Sequence, residues 1–192
     1  MGEVTFKAIL NAIYMNEINK KIIASDEDVI LRELEESDLE FLAKYANNEN
    51  VSMNLRDGFP KPYTLEDAKK FKQMIDSQSK KTFFAIEYKN SYVGNISLSL
   101  GTDVYRKSAE IGYFIGEPFW NKGIATKAVT LITEWAFNEL DIVRIHTGVF
   151  EFNIASQHVL EKCGYVKEAV CKRAVCKNHA LYDEIKFARI KE

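Results

Sequence analysis

The chain has 192 residues, of which 46% are apolar, and this is enough material for one compact domain with a substantial core. Its 26 Lys and Arg are balanced by 28 Asp and Glu, so the net charge of -2 provides no global field to attract nucleic acid or an anionic membrane. Three cysteines without a C-x-x-C pair argue against a disulfide framework, and we expect a reducing, cytoplasmic location.

The first 25 residues are predicted to form a separable N-terminal extension. Apolar residues from Val4 to Met15 are interrupted by Lys7 and Asn11 and lack a cleavage pattern. They favour an amphipathic helix over a signal peptide or a membrane span. No composition shift divides residues 26–192, which we expect to form one domain.

The first half of that domain predicts a strand, two helices and an antiparallel meander. A strand over Val29 to Leu34 precedes a helix with Ser37 as its N-cap, and Thr64 begins a second helix. The polar segment from Asn47 to Pro62 between these helices is predicted to be a loop. Residues 82–116 follow as three strands.

The second half begins with the longest helical pattern in the chain, which starts at Ile124. A strand from Val143 to Val149 follows, and then a helix that Asn153 opens and Gly164 ends. Residues 165–190 read as two strands of a hairpin. Together these elements predict an α/β fold whose mixed, mostly antiparallel central sheet has about seven strands flanked by helices.

The turn between the third meander strand and the long helix suits a diphosphate. The first N–H groups of a helix have no internal acceptors and lie at the positive end of its dipole, and Gly123 and Ala125 let a ligand approach them. Each charge-assisted bond contributes about 1.5–3 kcal/mol, so several hold a diphosphate without net positive charge. The alternative is that Gly123 only serves a tight turn and Lys122 is a solvated surface residue. The spacing matches neither a P-loop nor a dinucleotide fingerprint.

These residues resemble a known family. The runs Ala109–Gly116 and Trp120–Ala128 are similar to the central motif of the GNAT acetyltransferase superfamily, whose signature is Q/R-x-x-G-x-G/A. Asn121 departs from it, because Gln or Arg is usual at that position. Four further segments resemble the ribosomal-protein N-terminal acetyltransferase (RimJ/RimL-like) branch: Pro60–Ala68, Asn153–Ser156, Leu160–Tyr165 and Asp183–Ile185.

The resemblance implies an acetyl-coenzyme A-dependent N-acetyltransferase. Two adjacent parallel strands are then expected to splay apart and hold the pantetheine arm of the cosubstrate. The expected backbone contacts to that arm are Phe114, Ile115 and Gly116. The expected pyrophosphate site consists of Asn121, Lys122, Gly123, Ile124, Ala125 and Thr126. Asn153 and Ser156 are the expected contacts from the following helix, although Asn153 is also a favoured helix cap.

Direct transfer in a ternary complex requires a base and a proton donor. The resemblance places the general base at Glu110; the alternative for this residue is an ion pair with Arg106 or Lys107. Ser156 is the expected donor to the departing thiolate, or else a helix-entry residue, and Leu160 occupies the position where some relatives carry a tyrosine. A backbone N–H of the splayed strand is expected to stabilise the oxyanion.

The acceptor amine is expected to enter beside the loop from Asn47 to Tyr63, which carries Asn54, Arg56, Asp57 and Phe59. A peptide N-terminus and a small polar amine suit this loop equally. We expect no metal, since the three histidines lack metal-ligand spacing, and no nucleic-acid or membrane partner. Two alternatives stay open: a non-catalytic acyl-coenzyme A-binding regulatory module, and an interaction domain that forms a homodimer through the N-terminal extension.

Overall fold

An eight-stranded sheet forms the centre of the computed structural model, which describes residues 21–58 and 60–192. Its strands are β1 (Ile22–Asp26), β2 (Val29–Arg32), β3 (Phe83–Tyr88), β4 (Ser91–Leu100), β5 (Ser108–Ile115), β6 (Arg144–Phe150), β7 (Val166–Lys177) and β8 (Ala180–Ile190). Their order across the sheet is β1-β2-β3-β4-β5-β6-β8-β7. Every neighbouring pair is antiparallel except β5 and β6, which are parallel. The predicted α/β class with a mostly antiparallel sheet is confirmed.

Strand β1 is the one strand that the sequence pattern did not predict. It pairs with β2 through a tight turn that brings Asp26 opposite Val29. Residues 22–25, which were assigned to the N-terminal extension, therefore belong to the sheet. The strand lies at the sheet edge and none of its residues is fully buried, so it lacks the alternating pattern that marks a half-buried strand. The predicted helix from Val4 to Met15 lies outside the described residues.

Within the described residues, five helices flank the sheet: α1 (Leu39–Ala46), α2 (Glu49–Ser52), α3 (Leu65–Asp76), α4 (Ile124–Glu139) and α5 (Ile154–Lys162). Local caps explain where two of them begin. The Thr64 hydroxyl accepts from the Asp67 N–H at 3.2 Å, and the Asp67 carboxylate accepts from the Thr64 N–H at 2.8 Å, which starts α3. The Asn153 carboxamide accepts from the Ser156 N–H at 3.1 Å and starts α5. Both predicted helix starts are confirmed.

Two local predictions before α3 are wrong. Ser37 is not an N-cap, because it lies inside a 3-10 turn, Glu36–Asp38, that leads directly into α1. The cap of this turn is reciprocal between Glu35 and Asp38. The segment predicted as a loop contains the short helix α2, because the Asn48 side chain accepts from the N–H of Val51 at 3.1 Å.

The two faces of the sheet bury separate apolar clusters. Ala109, Ile111 and Ile115 of β5 pack with α4 and α5, whereas Phe114 of the same strand packs with α1 and α3. This division follows from the period of two in a strand. The two faces therefore carry different side chains of the same strand to different neighbours. No helix of the described residues has the length and apolar character needed to cross a bilayer.

Candidate functional site

Strands β5 and β6 separate partway along their length. Their parallel pairing begins with Ser108 opposite Arg144 and ends with Glu110 opposite His146, although both strands continue beyond that pair. On its other edge β6 stays paired with β8 up to Phe150. A gap therefore opens between β5 and β6 beyond Glu110, which is the geometry that the sequence resemblance led us to expect.

The peptide groups of β5 alternate between its two edges. At one end the Ser108 carbonyl accepts from the Gly101 N–H at 2.8 Å, and at the other the Gly116 N–H donates to the Val93 carbonyl at 2.8 Å. The register between β4 and β5 is uninterrupted, so every second residue bonds to β4 and the residues between turn their N–H and C=O toward the gap. Beyond the last β5–β6 pair, the groups that face the gap are the Ile111 carbonyl and the peptide groups of Tyr113 and Ile115.

This alternation changes the expected backbone contacts. Phe114 and Gly116 direct their peptide groups to β4, so of the three residues predicted to present backbone to a ligand only Ile115 faces the gap. The Ile115 carbonyl already accepts a hydrogen bond from the indole N–H of Trp120 at 2.7 Å. Ile115 belongs to the predicted set, whereas Ile111 and Tyr113 do not, because only the register with β4 decides which residues face outward.

Helix α4 begins with an open, left-handed glycine. Gly123 has φ of 75°, its carbonyl accepts the first intrahelical bond from Lys127 at 3.1 Å, and no atom lies within 4 Å of where a Cβ would stand. The next three N–H groups, those of Ile124, Ala125 and Thr126, have no acceptor in residues 21–58 and 60–192. These free donors and the space above Gly123 fit a diphosphate.

The side chains of the same turn are less available to a ligand than its backbone N–H groups. Asn121 has a positive φ of 60°, a conformation that Asn tolerates better than most residues. The Lys122 ammonium donates to the Pro118 carbonyl at 3.0 Å and lies 5.3 Å from the centre of the Phe119 ring. Lys122 is thus folded back on its own turn, and the donors left open to a ligand are backbone N–H groups.

Two hydroxyl groups meet at the gap from opposite sides. The Oγ of Ser156, in the first turn of α5, lies 2.8 Å from the Oη of Tyr113 on β5. Burial raises the pKa of Tyr113 and outweighs the Ser156 hydrogen bond, which lowers it, so the phenol stays protonated at neutral pH. Tyr113 was not among the predicted site residues. Tyr113 lies in the segment that carries the family resemblance, but its contact with α5 depends on the tertiary fold.

Glu110 lies at the bottom of the gap and forms an ion pair with Arg56. Neither residue of the predicted alternative is its partner. Lys107 pairs with Asp141, and the Arg106 guanidinium donates to the Asp103 carbonyl at 3.0 Å. The partner comes instead from the loop after α2, more than fifty residues earlier in the chain. Of the four loop residues expected beside the acceptor, Phe59 lies outside the described residues.

One cavity of about 440 Å³ joins these groups. Glu110, Tyr113, Asn153 and Ser156 all line it, together with Asn54 and Arg56 of the loop. The turn from Asn121 to Thr126 lies outside its lining. The cavity thus places a carboxylate, two hydroxyls and unpaired peptide groups around a single space. Among the described residues, no three His, Cys, Asp or Glu side chains are grouped as metal ligands.

Residues 28–166 match the family model described as Acetyltransferase (GNAT) domain. The chain is 40% identical over 83 residues to the probable N-acetyltransferase YjcK of Bacillus subtilis (strain 168), which covers 43% of this chain and only 46% of that protein. It is 29% identical over 146 residues to the spermidine N(1)-acetyltransferase of Escherichia coli (strain K12), covering 75% and 76%. Its fold is similar to that of RimL, the ribosomal L7/L12 alpha-N-protein acetyltransferase solved with coenzyme A, with a TM-score of 0.79 and 24% identity over 89% of this chain and 98% of RimL.

Proposed function

This chain belongs to the GNAT family of N-acetyltransferases, and we propose that it moves an acetyl group from acetyl-coenzyme A directly to a primary amine. The observation that carries the proposal is the gap between β5 and β6, beside which α4 begins with unpaired N–H groups. Acetyl-coenzyme A supplies an activated thioester carbon. The chain's own residues then have to bind the donor, accept a proton from the amine and return a proton to sulfur.

The donor is held mainly by backbone. The Ile111 carbonyl and the peptide groups of Tyr113 face the gap and suit the amides of a pantetheine arm. Asn153 uses its carboxamide oxygen to cap α5, which leaves its NH₂ group to donate to the same arm. The N–H groups at the start of α4 suit the pyrophosphate, and Gly123 leaves the space for it.

Glu110 is the proposed general base. Deprotonating an ordinary ammonium with a pKa near 10.4 costs about 4–5 kcal/mol at pH 7, so a positioned acceptor for that proton is required. One carboxylate oxygen of Glu110 bonds Arg56, and the other has no hydrogen-bond partner in the described part of the chain. Glu110 lines the cavity, and its second oxygen is available to the ammonium.

Ser156 is the proposed proton donor to sulfur. As the amine nitrogen bonds to the acetyl carbon, the carbon–sulfur bond breaks and the thiolate takes a proton. A Ser156 hydroxyl that accepts from the Tyr113 phenol keeps its own proton free to donate. The gap-facing N–H of Tyr113 on β5 suits the oxyanion. Leu160, where some relatives carry a tyrosine, is fully buried and takes no part.

For the acceptor we propose only the class of primary amines. Two of the three similar proteins named above act, by their names, on spermidine and on a ribosomal protein, and the mixed cavity suits a peptide N-terminus or a small amine. A cytoplasmic location is proposed because all three cysteines are free thiols, which suits a reducing compartment. We propose that the N-terminal extension, expected over residues 1–25, ends where β1 begins at Ile22. A homodimer is kept as an alternative.

Thiol release from acetyl-coenzyme A, measured across polyamines, aminoglycosides, amino acids and peptides, tests the activity. The variant Glu110→Gln should lower kcat about 100-fold or more and leave the Kd for acetyl-coenzyme A unchanged, because it removes only the base. The matched control is Glu168→Gln, which breaks a surface ion pair with Arg144 away from the cavity. An unchanged rate for Glu110→Gln at saturating substrate across the pH range would remove Glu110 from the mechanism. Cofactor binding without thiol release from any amine would instead favour the non-catalytic acyl-coenzyme A-binding module.

A further inference from the structure

We infer, on the basis of the proposed function, that the acceptor is a zwitterion: a small amine with a carboxylate beside its amino group, as in an α-amino acid. In this assignment Glu110 takes the ammonium and Arg56 takes the carboxylate. Arg56 is then a specificity-determining residue of the cavity. The inference rests on how Arg56 is held, on which of its donors are free, and on the charges around it.

The residues on both sides of Arg56 are held by one buried lysine. The Lys177 ammonium donates to the Leu55 carbonyl at 2.7 Å and forms an ion pair with Asp57. Lys177 is only 3% exposed, at the end of β7. A buried ammonium is retained only with good partners, so this contact specifies the position of the loop. Arg56, between the two anchored residues, is thereby carried to the mouth of the cavity.

The ion pair leaves free hydrogen-bonding capacity on both partners. A guanidinium has five N–H donors in a planar fork, and Arg56 uses one of them on Glu110. Its side chain is 75% exposed, so the other donors are open to a ligand. Glu110 likewise has one oxygen without a partner among the described residues. A zwitterion with adjacent opposite charges satisfies both groups without breaking their ion pair.

The charges of the cavity disfavour a polycation. Its charged lining residues are Arg56, Glu110 and Glu184. Glu184 is paired with Lys186 at 2.7 Å, so each of the two carboxylates already has a cation beside it. A polyamine that approaches Glu110 would also meet the Arg56 guanidinium beside it, and two neighbouring positive charges repel each other. A carboxylate next to the amine turns that repulsion into attraction.

An apolar wall completes the cavity. Phe71 and Met74 of α3 line it together with Phe83 of β3. The rings of Phe71 and Phe83 are in edge-to-face contact, with centres 4.8 Å apart. Such a surface suits an aromatic or aliphatic side chain. The acceptor that combines these features is an apolar α-amino acid.

The test compares four acceptors. L-phenylalanine, its amide and phenethylamine differ only at the carboxylate, and spermidine represents the polyamines. We expect the kcat/KM for L-phenylalanine to exceed that for each of the others about tenfold or more, because a charge-assisted bond is lost when the carboxylate is absent. Equal or better turnover of the amide, phenethylamine or spermidine would overturn the inference and leave the proposed acetyl transfer standing. No thiol release with any amine would contradict the proposed function itself.

Two variants separate Arg56 from a merely structural role. Arg56→Gln should raise the KM for L-phenylalanine about 10- to 100-fold but should not raise the KM for phenethylamine, which has no carboxylate and is repelled by the guanidinium. Arg56→Lys should recover part of the loss for L-phenylalanine. The matched control Arg106→Gln removes an exposed guanidinium that bonds only the Asp103 carbonyl and should change neither value. A loss by Arg56→Gln that is equal for all four acceptors would contradict carboxylate recognition.

Discussion

Tyr113 and Ser156 come from different elements, yet their hydroxyl oxygens are 2.8 Å apart at the gap. Either oxygen can donate in this pair, and in both arrangements the pair has one hydroxyl proton left for a third group. The raised pKa of Tyr113 keeps the phenol protonated when the thiolate is expelled. At the residue scale, the two hydroxyls therefore act as one unit in the proposed proton return.

Tyr113→Phe and Ser156→Ala should each lower kcat about tenfold or more and leave the Kd for acetyl-coenzyme A unchanged. Because the two hydroxyls act in sequence along one proton path, the kcat of the double variant should be little lower than that of either single variant. Steady-state kinetics of the three variants measures this coupling.

Tyr165→Phe is the matched control for that cycle. It removes a buried phenol oxygen, which lies 2.8 Å from the Thr133 hydroxyl in the core and outside the cavity lining. It should lower stability by about 1 kcal/mol without lowering kcat. Fully additive losses in the Tyr113 and Ser156 variants would contradict a shared role.

At the element scale, the start of α4 combines a helix end with a left-handed residue. The three free N–H groups there are a property of any helix. A ligand can reach them because Gly123, with φ of 75°, has no side chain and lies in open surroundings. The chain has a second glycine of the same kind, Gly164 with φ of 78°, after α5. It has no free helix N-terminus beside it and serves as the end of that helix.

Gly123→Ala should lower stability by about 1 kcal/mol through backbone strain and weaken acetyl-coenzyme A binding about tenfold, because the added Cβ enters the space for the diphosphate. Gly164→Ala, in the same conformation and with its nearest neighbours at 3.7 Å, should show the loss of stability alone. Urea unfolding and calorimetry measure the two effects separately. Equal cofactor affinity in the two variants would contradict the proposed diphosphate site.

At the scale of the whole molecule, the core holds several tyrosines in their neutral form. Burial raises the pKa of Tyr63 and of Tyr165 to about 12, and raises that of Tyr92 well above its ordinary value. In the unfolded chain these phenols ionise near pH 10. Because the folded state keeps the protons and the unfolded state releases them, stability is fully present below about pH 10 and falls as the pH rises toward the folded values.

The free energy of unfolding should therefore change little from pH 7 to about pH 9 and decrease above about pH 10, with each such tyrosine contributing up to about 1.4 kcal/mol per pH unit. Urea unfolding midpoints across this range give the slope. Tyr165→Phe should make the alkaline slope shallower, since one titrating phenol is removed. Equal stability at pH 8 and pH 11 would show that the phenols ionise alike in both states.

Much of the architecture could be predicted from local patterns. The period of the apolar residues identified seven of the eight strands, and the capping residues Thr64 and Asn153 located two helix starts. Ser37 was wrongly chosen as a cap because Asp38 competes for the same role and also bonds the buried Arg32 guanidinium at 2.7 Å. Strand β1 was not predicted because an edge strand without buried residues shows no alternation of apolar and polar residues.

The sequence by itself determined the family, the order of the elements and the small-residue turn at Gly123, since each of these depends on neighbours in the chain. Only the tertiary structure decided which peptide groups of β5 face the gap, because the register with β4 sets that choice. It alone joined Arg56 to Glu110 and Tyr113 to Ser156. Those contacts join residues tens of positions apart, and packing, rather than local backbone preference, brings such residues together.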